Sequence, residues 1–279
     1  MTGAIGRRDF LRALAAAGAA ITLRPAVASA AAPGPLRAGF QLYTARASMA
    51  RDLSGTLARI AAIGYSEVEF AGYFGSSPAA VRSALRAAGL AAPSAHIGMR
   101  ELAGDWTRAL ETAAAIGHDY LIFAWVPDEL RTADGYKRLA ERFNRAGEIA
   151  LSSGIRFGYH NYTYDFTRAR TGFLYDVLLA ETDPRYVTMQ LDVYWLVDAG
   201  QDPLTYLARH RGRYSSLHLK DRTADGRIAD VGAGAIDWRG VIRAAREAGV
   251  RHLFVEHDDP ADAFVSARTS LSHLRTLRL

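Results

Sequence analysis

The chain has no cysteine among its 279 residues, which excludes disulfides and thiol chemistry and leaves an oxidising compartment open to it. Linkers are missing too: no Pro/Ser-rich run or charge block interrupts residues 36–279, so one domain of the size of a β/α barrel is expected there. No G-x-G-x-x-G follows the first expected strand, where a dinucleotide-binding sheet needs it. Basic excess is small once it is located. Of the net charge of +5, three units come from Arg7, Arg8, Arg12 and Arg24 against Asp9. The remainder carries about +2, too little to indicate a nucleic-acid partner from bulk charge.

Residues 1–30 read as a targeting segment rather than part of the fold. Arg7-Arg8 precede an apolar run from Ala13 to Leu23, and Ala28-Ser29-Ala30 supplies a small-residue cleavage site. The run is too short to span a bilayer core of about 30 Å. The segment resembles a twin-arginine (Tat) signal peptide. That resemblance implies export to the periplasm or cell exterior, with no stable membrane anchor after cleavage.

The rest of the chain has a structural rhythm. Five times a helical stretch ends in glycine and runs into an apolar strand, at Gly64, Gly89, Gly117, Gly154 and Gly249. Glycine tolerates the left-handed conformation just past a helix C-terminus, so each marks an α-to-β turn. Strands are expected near 38–43, 67–72, 92–97, 119–125, 156–161, 187–194, 214–220 and 252–257. Helices are expected near 52–63, 78–88, 105–116, 134–152, 172–181, 203–209, 237–248 and 263–277. Eight strands alternating with eight helices define an α/β fold. The count and the missing phosphate loop favour a (β/α)8 TIM barrel over residues 36–279, as a single domain, against an open doubly wound sheet.

In such a barrel the chemistry sits at the C-terminal strand ends. Those ends carry Gln41/Tyr43, Glu69, His96, Trp125, His160/Asn161, Asp192/Tyr194, His218/Lys220 and Glu256/His257/Asp258. Strand alternation puts Gln190, Asp192 and Tyr194 on one face, and Ser216, His218 and Lys220 on one face, both toward the barrel axis. His160, Asp192, His218 and Glu256 come from four consecutive strands, the fifth to the eighth. Neighbouring strands lie about 5 Å apart, so these four ends can converge on one divalent ion. Two imidazoles with two carboxylates suit Mn²⁺, Co²⁺, Zn²⁺ or Fe²⁺, and suit Mg²⁺ less well.

These stretches carry a family resemblance. Gly158-Tyr159-His160-Asn161, Gln190-Leu191-Asp192-Val193-Tyr194-Trp195, Leu217-His218-Leu219-Lys220-Asp221 and Phe254-Val255-Glu256-His257-Asp258 are similar to the xylose-isomerase-like sugar isomerase/epimerase family. Gly39 to Tyr43, Glu67 to Gly72 and Ser94 to His96 extend the likeness toward the N-terminus. The resemblance implies a metal-dependent barrel acting on small carbohydrates. The family spans ketose epimerases, aldose–ketose isomerases, inosose dehydratases and enzymes that cleave 3-keto-glycosides, with DNA-repair endonucleases as a distant branch.

Two departures bear on mechanism. His160 stands where many ketose epimerases of the family place a second catalytic Glu, and Tyr162 stands where relatives often carry a second His. Asp165, near a Glu position of relatives, is the candidate for the missing carboxylate. The expected reaction is proton transfer next to a carbonyl of a sugar or keto-sugar. Glu256 or His160 would act as base, and Lys220 would stabilise the enolate oxygen. Gln41, Tyr43, Glu69, His96, Trp125 and Tyr194 are the candidate substrate contacts. Loss of a β-substituent from the same enolate gives a lyase acting on 3-keto-glycosides as the alternative, and export favours it. A non-catalytic sugar-binding barrel is a second alternative. The expected partner is a small-molecule carbohydrate and not nucleic acid, and homo-oligomerisation is left open.

Overall fold

The computed structural model describes residues 38–277; the Tat-like segment lies outside the described residues. Within them, eight parallel strands close into a barrel. They are β1 (Ala38–Gln41), β2 (Glu67–Phe70), β3 (Ala91–Ile97), β4 (Tyr120–Phe123), β5 (Arg156–His160), β6 (Val187–Asp192), β7 (Tyr214–Leu219) and β8 (His252–Val255). Each pairs with its neighbours in sequence, and β1 pairs β8 to close the ring, with Phe40 beside Val255. The open-sheet alternative is excluded. Eight helices return the chain: α1 (Leu53–Ile63), α2 (Pro78–Ala88), α3 (Trp106–Ile116), α4 (Ala133–Ser152), α5 (Leu174–Glu181), α6 (Pro203–Arg209), α7 (Trp238–Glu247) and α8 (Ala263–Thr276). No helix among the described residues is long and apolar enough to cross a membrane.

Local chemistry fixes the helix ends. Asp52, Ser77, Asp105, Thr132, Asp202, Asp237 and Asp262 each cap a crossover helix by accepting from backbone N–H groups of its first turn. These are the orphan donors that a helix start leaves unsatisfied. At the other end, Gly64 (φ 113°) and Gly89 (φ 69°) take the left-handed conformation expected of them.

The apolar core lies between barrel and helices. Phe40, Val68, Phe70, Leu121, Phe123, Phe157, Tyr159, Met189, Leu191, Leu217, Leu219 and Val255 all belong to it, and they are the outward-facing half of each strand's alternation. The inward half is largely polar and also buried, with Gln41, Glu69, Ser94, His160, Gln190, Asp192, Ser216 and His218 at most a few per cent exposed. Register aligns these groups. Gln190 sits beside His160 on one side and Ser216 on the other, and Asp192 sits beside His218.

All the strands but β3 end earlier at their C-termini than the sequence suggests. The clearest correction concerns β6, which ends at Asp192 rather than at 194. There the Asp192 side chain accepts from the Trp195 N–H at 3.0 Å and caps a helix over Val193–Asp198. Tyr194 is therefore helical and leaves the inward face, and its hydroxyl donates to the Gly226 carbonyl at 2.8 Å. The sequence reading also lacks the short hairpin of Asp221–Arg222 with Ile228–Ala229.

Barrel packing is tight at Gly158. A methyl group there would lie 2.6 Å from Ile122 Cδ1 and 2.9 Å from Thr188 Cγ2. Gly158→Ala is expected to lower stability by about 1–3 kcal/mol through overpacking. Urea unfolding checks this, and an unchanged midpoint would show that the barrel interior has more room than the structure gives it.

Candidate metal centre

His160, Asp192, His218 and Glu256 meet at the C-terminal mouth of the barrel. One ligand atom from each lies within 4.8 Å of the others, and all four residues are buried. His218 Nδ1 is 2.9 Å from Glu256 Oε2, 3.2 Å from His160 Nε2 and 3.8 Å from Asp192 Oδ2. His160 Nε2 is 3.4 Å from Asp192 Oδ2.

The elements around these side chains hold them in place. Asp192 Oδ1 is used by the helix cap, which leaves Oδ2 facing the cluster. Asn161 clamps the end of β6 by accepting from the Asp192 N–H at 2.9 Å and donating to its carbonyl at 3.2 Å. Below the cluster, His218 Nε2 lies 2.5 Å from Glu69 Oε2. That short contact keeps a proton on Nε2, so Nδ1, which lies 2.9 Å from Glu256, is the atom that would be offered to a metal ion. Glu69 also accepts from Gln41 Nε2 at 2.6 Å, Ser94 Oγ at 2.5 Å and Gln190 Nε2 at 2.8 Å.

The group fits a cation on three observations. Two imidazole nitrogens face each other at 3.2 Å, a spacing that two lone pairs tolerate only with a proton or metal ion between or beside them. Asp192 Oδ2 is buried without a directed hydrogen bond, facing the cluster with the Lys220 ammonium 3.2 Å away, so it is free to ligate an ion. Finally, the donor set of two imidazoles and two carboxylates is that of a first-row divalent ion.

Charge in the site is concentrated. Lys220 is 1% exposed, with Nζ 3.2 Å from Asp192 Oδ2, 2.9 Å from Glu256 Oε2 and 2.6 Å from Asp258 Oδ1. Burial would depress its ammonium, but the Asp192, Glu256 and Asp258 carboxylates reverse this and hold the lysine well above its ordinary value. Burial likewise works against the charged form of Glu256, and Lys220 and His218 overcome it and keep the carboxyl well below the usual range. Glu69 follows the same pattern, with burial outweighed by His96 and His218.

Above the ligands lies a cavity of about 260 Å³. Of the sequence-predicted residues, Tyr43, His96, Trp125, His160, Lys220 and Glu256 line it. Gln41 and Glu69 are instead fully buried, in the network that holds His218. Tyr194 is off the cavity with the short helix, as described above. Asp165 does not line it either. Its oxygens accept from the hydroxyls of Tyr136 and Tyr159 and from the Tyr162 N–H. Burial pushes its carboxyl up to about 7 against those donors. Asp165 therefore holds the turn that carries Tyr162, and it does not supply the second carboxylate expected of it.

Three wall residues were given no role from sequence: Ala71, Tyr162 and Asp258, the last named only among the polar groups at its strand end. Asp258 had a signal, because it lies two residues beyond Glu256. Tyr162 had one in its place after Asn161, but it read only as a departure.

A parallel barrel with a four-ligand His/Asp/Glu cluster at its mouth defines the class: an α/β barrel with a candidate metal centre. The chain belongs to the xylose isomerase-like TIM barrel family, whose description matches residues 57–277. It is similar to the inosose dehydratase of Lacticaseibacillus casei, 32% identical over 152 residues, which cover 47% of this chain and 50% of that protein. The chain thus spans about half the length of the curated relatives it matches. A sugar phosphate isomerase/epimerase from Parabacteroides distasonis ATCC 8503 superposes with a TM-score of 0.76 at 26% identity, over 86% of this chain and 98% of that one. The IOLI protein, whose structure contains a bound zinc atom, gives a TM-score of 0.68 at 14% identity over 87% and 98% of the two chains, a likeness of fold alone.

Glu69 gives the site a direct test. Glu69→Gln sets an amide against neighbouring donors and loosens the His218 ring, and second-sphere changes of this kind weaken metal binding by about 10–100-fold. A chelator-competition titration with Zn²⁺ reads it, and wild-type affinity in the variant would mean that Glu69 does not orient His218.

Proposed function

We propose that this chain is a metal-dependent enzyme that moves a proton at the carbon next to a carbonyl of a sugar or keto-sugar. The proposal rests on one observation: four ligand atoms within 4.8 Å lie beneath a cavity whose wall also carries Lys220 and Glu256. His160, Asp192, His218 and Glu256 would hold Mn²⁺, Co²⁺, Zn²⁺ or Fe²⁺. Once bound, such an ion polarises a carbonyl oxygen as a Lewis acid.

The chain's own groups account for the rest. Glu256 is ionised at neutral pH and is the wall carboxylate fit to take the proton from carbon. The Lys220 ammonium, fixed by three carboxylates, offers a preorganised positive charge to an oxygen that becomes negative. His96 stands on the same wall for a substrate hydroxyl. Tyr43, Trp125 and Tyr162 add aromatic faces to the cavity wall.

A second reading, elimination, has its own support. Asp165 is tied to tyrosines and does not reach the cavity. The remaining carboxylates on the wall, Glu256 and Asp258, both follow β8. Epimerisation needs proton carriers on opposite faces of the carbon, whereas isomerisation or loss of a β-substituent is served from one side. The similarity to inosose dehydratases points the same way.

Incubation of the Mn²⁺-loaded protein with keto-sugars, an inosose included, in D₂O separates the outcomes by NMR. Deuterium at carbon with the sugar skeleton retained supports isomerisation, and released water or aglycone supports the lyase. Sugar binding with neither leaves a non-catalytic barrel and overturns the enzyme reading. Glu256→Gln is expected to lower kcat by about 10²–10⁴-fold.

A further inference from the structure

We propose that the cavity continues at its rim into a subsite for a second ring, so that the substrate carries a sugar or aryl ring beyond the one that reacts. This rests on the reading above, that the cavity takes a carbonyl-bearing sugar. The observation that carries it is where this chain leaves aromatic rings open. Among the described residues the aromatic side chains are buried or half-buried, apart from Tyr43 at 42% and Trp125 at 51% exposure. Both line the same cavity. Two exposed rings at one small rim are not the scatter of single apolar side chains that any surface shows.

Neither residue is loose. Trp125 meets Tyr162 and Tyr164 edge-on, at centroid distances of 5.4 and 5.6 Å and interplanar angles of 80° and 82°. The Arg131 guanidinium lies 4.7 Å from the Trp125 ring. Arg131 is itself fixed by the Val126 carbonyl at 3.0 Å and by Asp128 at 2.8 Å. Tyr43 is anchored through its N–H to Gln41 Oε1 at 3.0 Å. The Arg46 guanidinium lies 4.3 Å from its ring and donates to the Asp258 carbonyl at 2.6 Å. The rings are thus ordered before any ligand arrives, which removes the entropy cost of fixing them on binding.

Size points in the same direction. About 260 Å³ lies below the roughly 300–1,000 Å³ of sites that enclose a drug-sized ligand. A cavity of this size suits a single sugar ring, and a second ring would extend to the rim where Tyr43 and Trp125 stand. An aromatic face takes the C–H face of a pyranose or the face of an aryl group alike.

Equilibrium binding to the full chain tests the subsite with four probes: a hexose, its methyl glycoside, a disaccharide and an aryl glycoside of the same hexose. At least one two-ring probe is expected to bind about tenfold tighter than the methyl glycoside, the scale of a good aromatic contact. Whichever of the two gains more identifies the second ring as sugar or aryl. Trp125→Ala is expected to bring that ratio close to one, and Trp125→Phe, which keeps a ring, to restore most of it. Equal affinities for one- and two-ring probes in the wild type overturn the proposal, as does a ratio that survives both Trp125→Ala and Tyr43→Ala. Absence of binding by every probe overturns it too. If gel filtration shows a dimer that Trp125→Ala dissociates and no ring preference exists, the rings belong to a subunit interface and the proposal fails. Deuterium exchange by the wild type on a one-ring keto-sugar is read separately. Exchange without a ring preference sinks the subsite alone, and a ring preference without exchange sinks the reaction alone.

Discussion

A buried carboxylate governs this barrel. Glu69 is fully enclosed, and an ionised carboxyl at such depth persists only with its lone pairs filled. Here Gln41, Ser94, Gln190 and His218 fill them, from β1, β3, β6 and β7. The network ties opposite sides of the ring together through polar contacts at the level where an ordinary barrel would stack aliphatic side chains. Its cost is offset only while every member is satisfied. In return it keeps a proton on His218 Nε2, so that Nδ1 is the atom that would be offered to a metal ion. The interior is therefore polar because the mouth must be prepared, and the apolar stabilisation has moved to the layer between barrel and helices.

Much of this was legible in the sequence because two periodicities coincide. The outward apolar and inward polar alternation of Gln190-Leu191-Asp192 and Ser216-Leu217-His218 specifies both the strand and its phase, and glycine turns mark where helices end. The four ligand candidates follow from that phase, since residues of one type at one depth on consecutive strands have to converge.

What was not legible lies beyond the strand ends, where period 2 no longer applies. Tyr194 continues the alternation in sequence, but the Asp192 side chain caps a helix there and turns it away. Asp165 has the right residue type near the right motif. Its assignment depended on whether donors from distant segments would claim it, and Tyr136, on α4, does so. Glu69 and Gln41 carried the correct inward phase, yet phase does not give depth. They lie below the cavity, where a polar group serves the neighbouring ligand rather than the substrate.

The charge around Lys220 bears on what the mouth is built to hold. Asp192, Glu256 and Asp258 surround one ammonium, and a single lysine balances one of the three. Burial works against a charged His218, but Glu256 and Glu69 push it up to about 10, so its proton supplies a further positive charge, and Asp258 is only partly buried. A divalent cation beside His160 and His218 would take the place of that proton and lie next to Asp192 Oδ2. Lysine and ion would then divide the work by position. The ion would answer to the ligands that end β5 to β8, while the ammonium, held from the β8 side by Asp258, reaches the cavity wall beside Glu256. Both wall carboxylates follow β8, which is why His160 in place of a carboxylate would bear on the proposed reaction more than on the metal.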